Sequence, residues 1–365
     1  MEARVHLMTP QGTSEKLTVA ITGAGGYVAS RLIEGLGARK DVGRILGFDL
    51  RPPLSALLPP NFIFDSIDVR SPALEARLEG VDVVIHLAFV MDPIKDESEM
   101  RDVNVNGSQN VFRSAGKAGV KKVIYTSSAT AYGAHPDNDM PLTEDSPLRA
   151  NLDFSYPAHK LEVEYVVKEF RSDFPDATVT VFRPAIVFGP HVDNAWSHML
   201  ELPFAVCVGG YSPPMQFVHE DDVAEALLFA VSKDLDGAFN LAAPGHLTFD
   251  QMLSILGKRR LDLPEAVAFG FSEKLWGLGL AEAPAGMLHY LMHPWILSTE
   301  KLERQGFVPR HSNEDAFRAA ADQARGKVRL GRNRVETKRL LQGAAGAAGV
   351  AGAALAWRGV RRRAS

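Results

Sequence analysis

Cysteine is nearly absent from this sequence. The 365 residues include one, Cys207, inside the apolar run 204–208, which excludes a disulfide framework and a cysteine-rich zinc site. The 11 histidines lack the spacing of metal ligands, so we predict no metal. Such cysteine usage is typical of the reducing cytoplasm, where we expect Cys207 to be a buried, unreactive thiol.

Internal repeats and a transmembrane run are lacking as well. Residues 343–357 are rich in Ala and Gly, and as a helix they would extend only about 22 Å, against a bilayer core of about 30 Å. Residues 1–16 are polar and mixed, and we predict a loose leader there without the features of a signal peptide.

The charge is unevenly distributed, although the net value is only −4. Residues 325–365 carry eleven basic residues and one acidic residue, a net charge of +10, which leaves −14 on residues 1–324. This basic tail either makes weak contact with an anionic membrane surface or has no partner. Because Trp357 is its one aromatic residue, it lacks the interleaved aromatics of single-strand binders, and we predict no nucleic-acid partner.

What the chain does contain is a glycine-rich turn between a short β-branched strand and a helical pattern. Gly23 permits a sharp turn, Gly26 lets backbone approach a pyrophosphate, and Ala29 lets the helix pack on the sheet. The unpaired N–H groups of that helix would face the phosphates. Asp49 closes the next apolar run, where an acid binds the ribose diol and repels a 2′-phosphate, which predicts NAD rather than NADP.

Apolar runs alternate with helical patterns up to about residue 190, and this alternation predicts a parallel sheet with both faces covered. We therefore predict an α/β fold, a doubly wound Rossmann-type parallel sheet with a smaller C-terminal substrate-binding lobe. The predicted units are the leader 1–16, an NAD-binding domain 17–190, a substrate-binding lobe 191–324 with some strands returning to the core, and the tail 325–365. The predicted strands are 17–21, 44–48, 61–64, 82–87, 122–126 and 178–182, with helices near 97–117 and 156–170.

Ser127 and Ser128 follow the fifth predicted strand, at the sheet edge where open α/β folds bind ligands. Tyr156 and Lys160 are four residues apart and share one face of the next helix. Such a set transfers a proton to or from a hydroxyl whose carbon exchanges hydride with nicotinamide, and the ammonium and the cationic ring favour the phenolate. By themselves, Tyr156 and Lys160 would be ordinary surface residues of a helix.

With these motifs in order, the chain resembles the extended short-chain dehydrogenase/reductases, the NAD-dependent epimerase/dehydratase family. The resemblance covers about residues 17–320. It depends on segments 22–29, 68–69, 86–88, 104–107, 125–133, 156–160, 183–190, 217–223 and 239–242.

The resemblance implies an NAD-dependent enzyme acting on a small-molecule substrate, with Ser128, Tyr156 and Lys160 as catalytic residues. It implies that Asp68 and Val69 flank the adenine. The full cofactor set implied is Gly23, Gly25, Gly26, Tyr27, Val28, Asp49, Asp68, Val69, Leu87, Ala88, Asn104, Tyr156, Lys160 and Pro184. Leu87 and Ala88 would line the phosphate and ribose region, and Asn104 would support the central strands. His86 is expected to be structural, and the two long helices are expected to form a homodimer.

The sequence leaves more than one substrate class open. Sugar-nucleotide epimerases of this family carry an asparagine where this chain has Ile186, and an arginine near Met215 and Gln216, both to hold a diphosphate. Replacement anchors would be Arg149, His191 or His198. The candidates for an apolar pocket wall are Trp196, Phe204, Trp276, Met287, Tyr290, Met292 and Trp295. Three hypotheses follow: a nucleotide-sugar 4-epimerase, a dehydrogenase or ketoreductase of hydroxysteroid-like or other apolar alcohols, and a non-catalytic NAD-binding protein.

Overall fold

A computed structural model describes residues 16–54, 57–330 and 333–336. Seven parallel strands form its central sheet, in the order β10-β6-β5-β4-β1-β2-β3. The strands of the described chain are β1 Leu17–Thr22, β2 Val42–Asp49, β3 Phe62–Ser66, β4 Val83–His86, β5 Lys122–Thr126, β6 Thr178–Pro184, β7 Ile186–Phe188, β8 Ala205–Val208, β9 Phe217–His219, β10 Gly237–Leu241, β11 Arg260–Leu263, β12 Lys327–Leu330 and β13 Asn333–Glu336.

Helices cover both faces of the sheet, which confirms the doubly wound α/β prediction. The helices are α1 Tyr27–Gly37, α2 Leu74–Arg77, α3 Glu97–Arg101, α4 Gly107–Lys117, α5 Ser155–Asp173, α6 Ala195–Met199, α7 Glu220–Ser232, α8 Phe249–Leu256, α9 Glu265–Gly277, α10 His289–Met292, α11 Glu300–Arg304 and α12 Asn313–Ala324. One buried cluster joins α1 and α7 to the sheet through residues such as Leu36 and Leu227. A second joins α4 and α5 on the opposite face through Phe112 and Val167.

The predicted strands correspond to β1 through β6, with ends that differ by up to two residues. The seventh strand, β10, was not among the strands located from the sequence, although strands of 191–324 were expected to return to the core. It pairs in parallel with β6, so Phe239 lies opposite Phe182. The predicted helix near 97–117 is α3 and α4 joined by a π-helical segment, Asp102–Asn106. That wider turn contains Asn104, which is fully buried.

The remaining described elements form a smaller body around β7, β9 and α12. Its core is an apolar cluster that includes Phe188, Phe217 and Phe317, whose rings lie 5.1–6.0 Å apart. Phe217 is 1% exposed, and truncating it to alanine would cost about 3–5 kcal/mol. The domain boundaries at 190 and 324 stay predictions.

Past α12, strands β12 and β13 form an antiparallel hairpin. Arg329 and Arg334 of this hairpin both bind the carboxylate of Glu201, which is 2% exposed. Ordered structure therefore extends into the segment that begins at residue 325. The predicted leader, except residue 16, and residues 337–365 of the predicted tail lie outside the described residues. Among the described helices, none combines the length and hydropathy needed to cross a bilayer.

Candidate active site

The turn between β1 and α1 has the geometry of a phosphate cradle. Gly23 has φ +79°, and a Cβ there would lie 2.5 Å from the Ala88 nitrogen. A Cβ on Gly25 would lie 2.7 Å from the Arg51 carbonyl oxygen. Gly26 precedes α1 without a side-chain cap, so the positive end of the helix is open to an anion. Side chains at Gly23 and Gly25 would collide with the backbone of Ala88 and Arg51, so the glycines hold this tight turn at the open end of α1, an arrangement that fits the diphosphate of a dinucleotide.

Asp49 ends β2 beside this turn. One carboxylate oxygen accepts the Gly25 N–H at 2.9 Å, and the other accepts the Arg51 N–H at 2.9 Å. The acid is thus fixed next to the glycine turn, at the carboxyl end of the strand. This is the position from which a carboxylate can bind a ribose diol and repel a 2′-phosphate.

The other cofactor candidates follow the ends of β3 and β4. Arg70 binds both carboxylate oxygens of Asp68 and holds the pKa of that acid below its usual range. Val69 is buried against Gly107, where an added Cβ would lie 2.7 Å from a Val69 methyl group. The Asn104 amide accepts from the Val90 N–H at 2.7 Å and donates to the Val90 carbonyl at 3.0 Å, so it holds the chain after β4.

The remaining candidates lie around the start of α1 and the end of β6. The backbone of Leu87 and Ala88 packs directly against Gly23. Tyr27, the first residue of α1, packs beside Tyr156, and burial raises the pKa of its phenol. Val28 packs against the cluster under α1, and Pro184 ends β6 in the lining of the cleft described next. Which of these residues touch NAD stays a prediction.

Ser128, Tyr156 and Lys160 meet at the carboxyl end of β5. Ser128 and Tyr156 line one cleft. Thr130 donates its hydroxyl to the Ser128 oxygen at 2.9 Å, which leaves the Ser128 hydrogen free to point at a ligand. The Lys160 ammonium donates to the Thr126 carbonyl at 2.8 Å and lies 3.6 Å from the centre of the Phe89 ring.

Burial governs the electrostatics of this trio. It raises the pKa of Tyr156 to about 12; the Ser128 hydroxyl opposes the rise, and the Asp92 carboxylate adds to it. Burial also lowers the pKa of Lys160 to about 7, with Glu164 acting in the opposite direction. The Lys160 ammonium was expected to lower the pKa of the Tyr156 phenol. In this arrangement the loss of solvent around both groups has the larger effect, so the phenol pKa rises instead.

The cleft above Ser128 and Tyr156 is largely apolar. Trp196 and Trp295 form part of its wall, as predicted, together with Phe154 and Ile186. The other five aromatic and methionine candidates are not in this lining: Met287, Tyr290 and Met292 are buried in the core, Phe204 is exposed, and Trp276 lies on α9.

The proposed replacement anchors for a diphosphate all have other partners. Arg149 binds Asp137, His191 binds Glu220, and His198 lies between Asp193 and Glu282. Among the described residues lining the cleft, Asp92 is the one acid, and no lysine or arginine is present. Sequence reasoning missed Asp92, although its place six residues past the end of β4 marks the ligand-binding edge of the sheet.

His86 and Cys207 have structural surroundings. The two ring nitrogens of His86 bind the hydroxyls of Thr22 and Ser108 at 2.7 and 2.9 Å, and burial lowers its pKa to about 3. Cys207 is buried, and burial raises the pKa of its thiol to about 11, which suppresses the reactive thiolate.

The prediction that no metal binds stays a prediction. His219, Asp221 and His311 bring possible ligand atoms within 4.8 Å of one another. The two imidazoles are stacked 4.0 Å apart, however, rather than converging on one point.

Comparison with known proteins adds three findings. The NAD dependent epimerase/dehydratase family matches residues 19–242. An uncharacterized protein of Mycobacterium tuberculosis is 26% identical over 311 residues, 82% of either chain. N-acetyl-alpha-D-glucosaminyl-diphospho-ditrans,octacis-undecaprenol 4-epimerase of Escherichia coli O157:H7 is 32% identical over 174 residues, 47% of this chain and 49% of that protein.

Solved structures share the fold. UDP-glucose 4-epimerase of Thermotoga maritima, solved with UDP-glucose, has a TM-score of 0.65 at 22% identity and matches 85% of this chain and 99% of its own. A dTDP-glucose 4,6-dehydratase of Streptomyces venezuelae, solved with NAD, has the same score and identity over 85% and 97%. With the family match covering more than half of the chain, the protein belongs to the NAD dependent epimerase/dehydratase family and is an NAD-dependent enzyme of the extended short-chain dehydrogenase/reductase type.

Proposed function

We propose that this enzyme oxidises and reduces a secondary alcohol held between Ser128, Tyr156 and NAD. The observation that carries the proposal is that Ser128 and Tyr156 lie together in the lining of one cleft, with the Lys160 ammonium anchored to the Thr126 carbonyl 5.8 Å from the centre of the Tyr156 ring. NAD, when bound in the cradle, supplies a hydride acceptor and a cationic ring.

The side chains divide the remaining work. Because Thr130 occupies an acceptor site of Ser128, the serine hydroxyl donates to the substrate oxygen and holds it beside Tyr156. Tyr156 takes the proton of the alcohol, or returns it to a carbonyl. The charged form of Lys160 favours the phenolate of Tyr156. Because the pKa of Lys160 is about 7, this stabilisation of the phenolate is greatest below pH 7, where the amine is mostly charged.

For the substrate, we propose 4-epimerisation of a sugar linked to a nucleotide diphosphate or a related diphosphate. The Escherichia coli relative named as a 4-epimerase and the solved UDP-glucose 4-epimerase support this substrate class. In a 4-epimerase the cofactor is regenerated in each cycle, so the purified protein should interconvert UDP-glucose and UDP-galactose without added NAD. Denaturing the protein and identifying the released nucleotide would test whether NAD stays bound.

A second candidate is net dehydrogenation of an apolar alcohol. It is favoured by the apolar walls of the cleft and by Ile186 in the lining. It is also favoured because Arg149, His191 and His198, the expected diphosphate anchors, are each paired with an acidic residue of the protein. Stoichiometric NADH formation with a hydroxysteroid-like alcohol, and no turnover of UDP-hexoses, would favour this candidate over epimerisation.

Two tyrosines of α5 provide a matched test of the catalytic assignment. Tyr156→Phe removes the proton carrier and should lower turnover by about 10²–10⁴-fold while NAD still binds. Tyr165→Phe makes the same chemical change at a residue that is 55% exposed, and should leave turnover unchanged. Equal activity of Tyr156→Phe and the parent would contradict the catalytic role.

We also propose a homodimer that pairs the outer faces of α4 and α5. Light scattering of the purified protein would test it. The basic segment 325–365 is proposed to give weak contact with anionic membranes through its net charge of +10. Equal sedimentation with anionic vesicles after deletion of 337–365 would contradict this contact.

A further inference from the structure

We propose that Asp92 determines substrate specificity by selecting a neutral or cationic substituent beside the reacting carbon and rejecting an anionic one. This inference rests on the proposed function, because it concerns the same cleft. Asp92 lies in the loop between β4 and α3 and lines the cleft together with Ser128 and Tyr156. Asp92 is also exposed to solvent, so a ligand can reach it.

One oxygen of Asp92 is fixed and the other is available. Oδ1 accepts the backbone N–H of Ala195, the first residue of α6, at 3.1 Å. No donor among the described residues is bonded to Oδ2. A carboxylate accepts hydrogen bonds and donates none, so Oδ2 can bind a hydroxyl or an ammonium group of a substrate but cannot bind another carboxylate or a phosphate.

Groups of both signs of charge lie near Asp92. Burial raises the pKa of Asp92, the Ala195 N–H and His198 oppose the rise, and Glu282 and Asp193 add to it. His198 is itself bound to both of those acids. Asp193 and Glu282 are also paired with Arg334 and Arg329, so the charge that an anionic substituent would meet in the cleft is that of Asp92 itself. Repulsion of this kind contributes to specificity as attraction does.

The geometry also places the selected group. Asp92, Ser128 and Tyr156 line the same cleft. A ring whose alcohol lies at Ser128 and Tyr156 would direct a neighbouring substituent toward Asp92. Its faces would pack on Trp196 and Trp295.

Binding calorimetry on the full-length, NAD-loaded protein tests the inference. The probes are UDP-galactose against UDP-galacturonate, which differ by a hydroxymethyl and a carboxylate group, and a neutral cyclic alcohol against its carboxylate analogue. The parent should bind the neutral member of a pair at least tenfold more tightly. Asp92→Asn keeps an oxygen for the Ala195 N–H and should shrink that preference about tenfold, with Asp92→Ser as a second variant. Asp193→Asn removes a nearby charge outside the cleft lining and should leave most of the preference.

The outcomes separate the two proposals. A preference seen only with the alcohol pair, and reduced by Asp92→Asn, supports the role of Asp92 and overturns the sugar substrate. A preference that is absent in a pair that binds, or unchanged in both Asp92 variants, overturns the role of Asp92 and leaves the proposed function intact. Failure of both pairs to bind overturns both proposals.

Discussion

Replacing Gly23 by alanine is expected to destabilise the protein by about 2–5 kcal/mol and to abolish NAD binding. A residue with a side chain at φ +79° costs about 1–2 kcal/mol. The new Cβ would lie 2.5 Å from the Ala88 nitrogen and 2.7 Å from the Leu87 carbonyl carbon. Both atoms are backbone, so the turn or the end of β4 must move, and overpacking of this kind costs about 1–3 kcal/mol.

Gly80 supplies the matched control. Its φ is +72°, and a Cβ there would meet no heavy atom of the described chain within 4 Å. Gly80→Ala should therefore carry only the backbone cost, about 1–2 kcal/mol. The difference between the two variants isolates the close approach of the turn to β4.

Urea unfolding with and without NAD measures both effects. NAD at 100 times its Kd should add about 2.7 kcal/mol to the unfolding free energy of the parent and of Gly80→Ala. Gly23→Ala should show no such increment, because its displaced turn no longer accepts the diphosphate. Equal destabilisation of the two variants, with the NAD increment retained in both, would refute the cradle.

Three further predictions concern charged and titratable groups. Asp49→Asn should shift the ratio of NAD to NADP affinity toward NADP by about tenfold or more, since hydrogen bonds to charged groups contribute about 1.5–3 kcal/mol; calorimetry that gives an unchanged ratio would contradict the assignment. The pKa of His86 falls from 6.5 unfolded to about 3 folded, so the unfolded state binds more protons and stability falls as the pH drops from 6.5 toward 3. His86→Asn should flatten that part of the pH dependence in urea titrations. Arg329→Met should lower the unfolding free energy by up to about 3–5 kcal/mol, because it leaves buried Glu201 with Arg334 as its remaining partner. In thermal melts, adding Glu201→Gln should recover much of that loss. An Arg329→Met protein as stable as the parent would count against a structural role for the hairpin.

Local patterns were sufficient to predict the sheet and much of the site. The first six strands are short apolar runs at regular spacing, and the glycine turn with Asp49 follows from backbone rules. Strand β10 was missed because its sequence, Gly-Ala-Phe-Asn-Leu, has no β-branched residue and includes glycine and asparagine, which are depleted in strands. Its pairing with β6, and not its local pattern, makes it a strand.

The composition of the cleft could not be predicted in the same way. Trp196 and Trp295 line it, while Tyr290, of similar character, is buried in the core, and residue type alone does not separate these places. The rise in the Tyr156 pKa comes from burial, which the Tyr–Lys spacing does not reveal. Asp92 stands in a loop without a motif, so only the fold shows that it reaches the cleft.

The ion pairs of the hairpin also set an order of events during synthesis. Arg334 follows Glu201 by 133 residues, and at about 5–20 residues per second a ribosome needs about 7–27 seconds to add that length. Until then the Glu201 carboxylate, which is buried in the folded protein, lacks Arg334. Glu282, which contacts His198 on the helix of Trp196, lacks Arg329 until a further 47 residues have been added after it. One wall of the cleft is therefore completed only after the nucleotide cradle has long since left the ribosome.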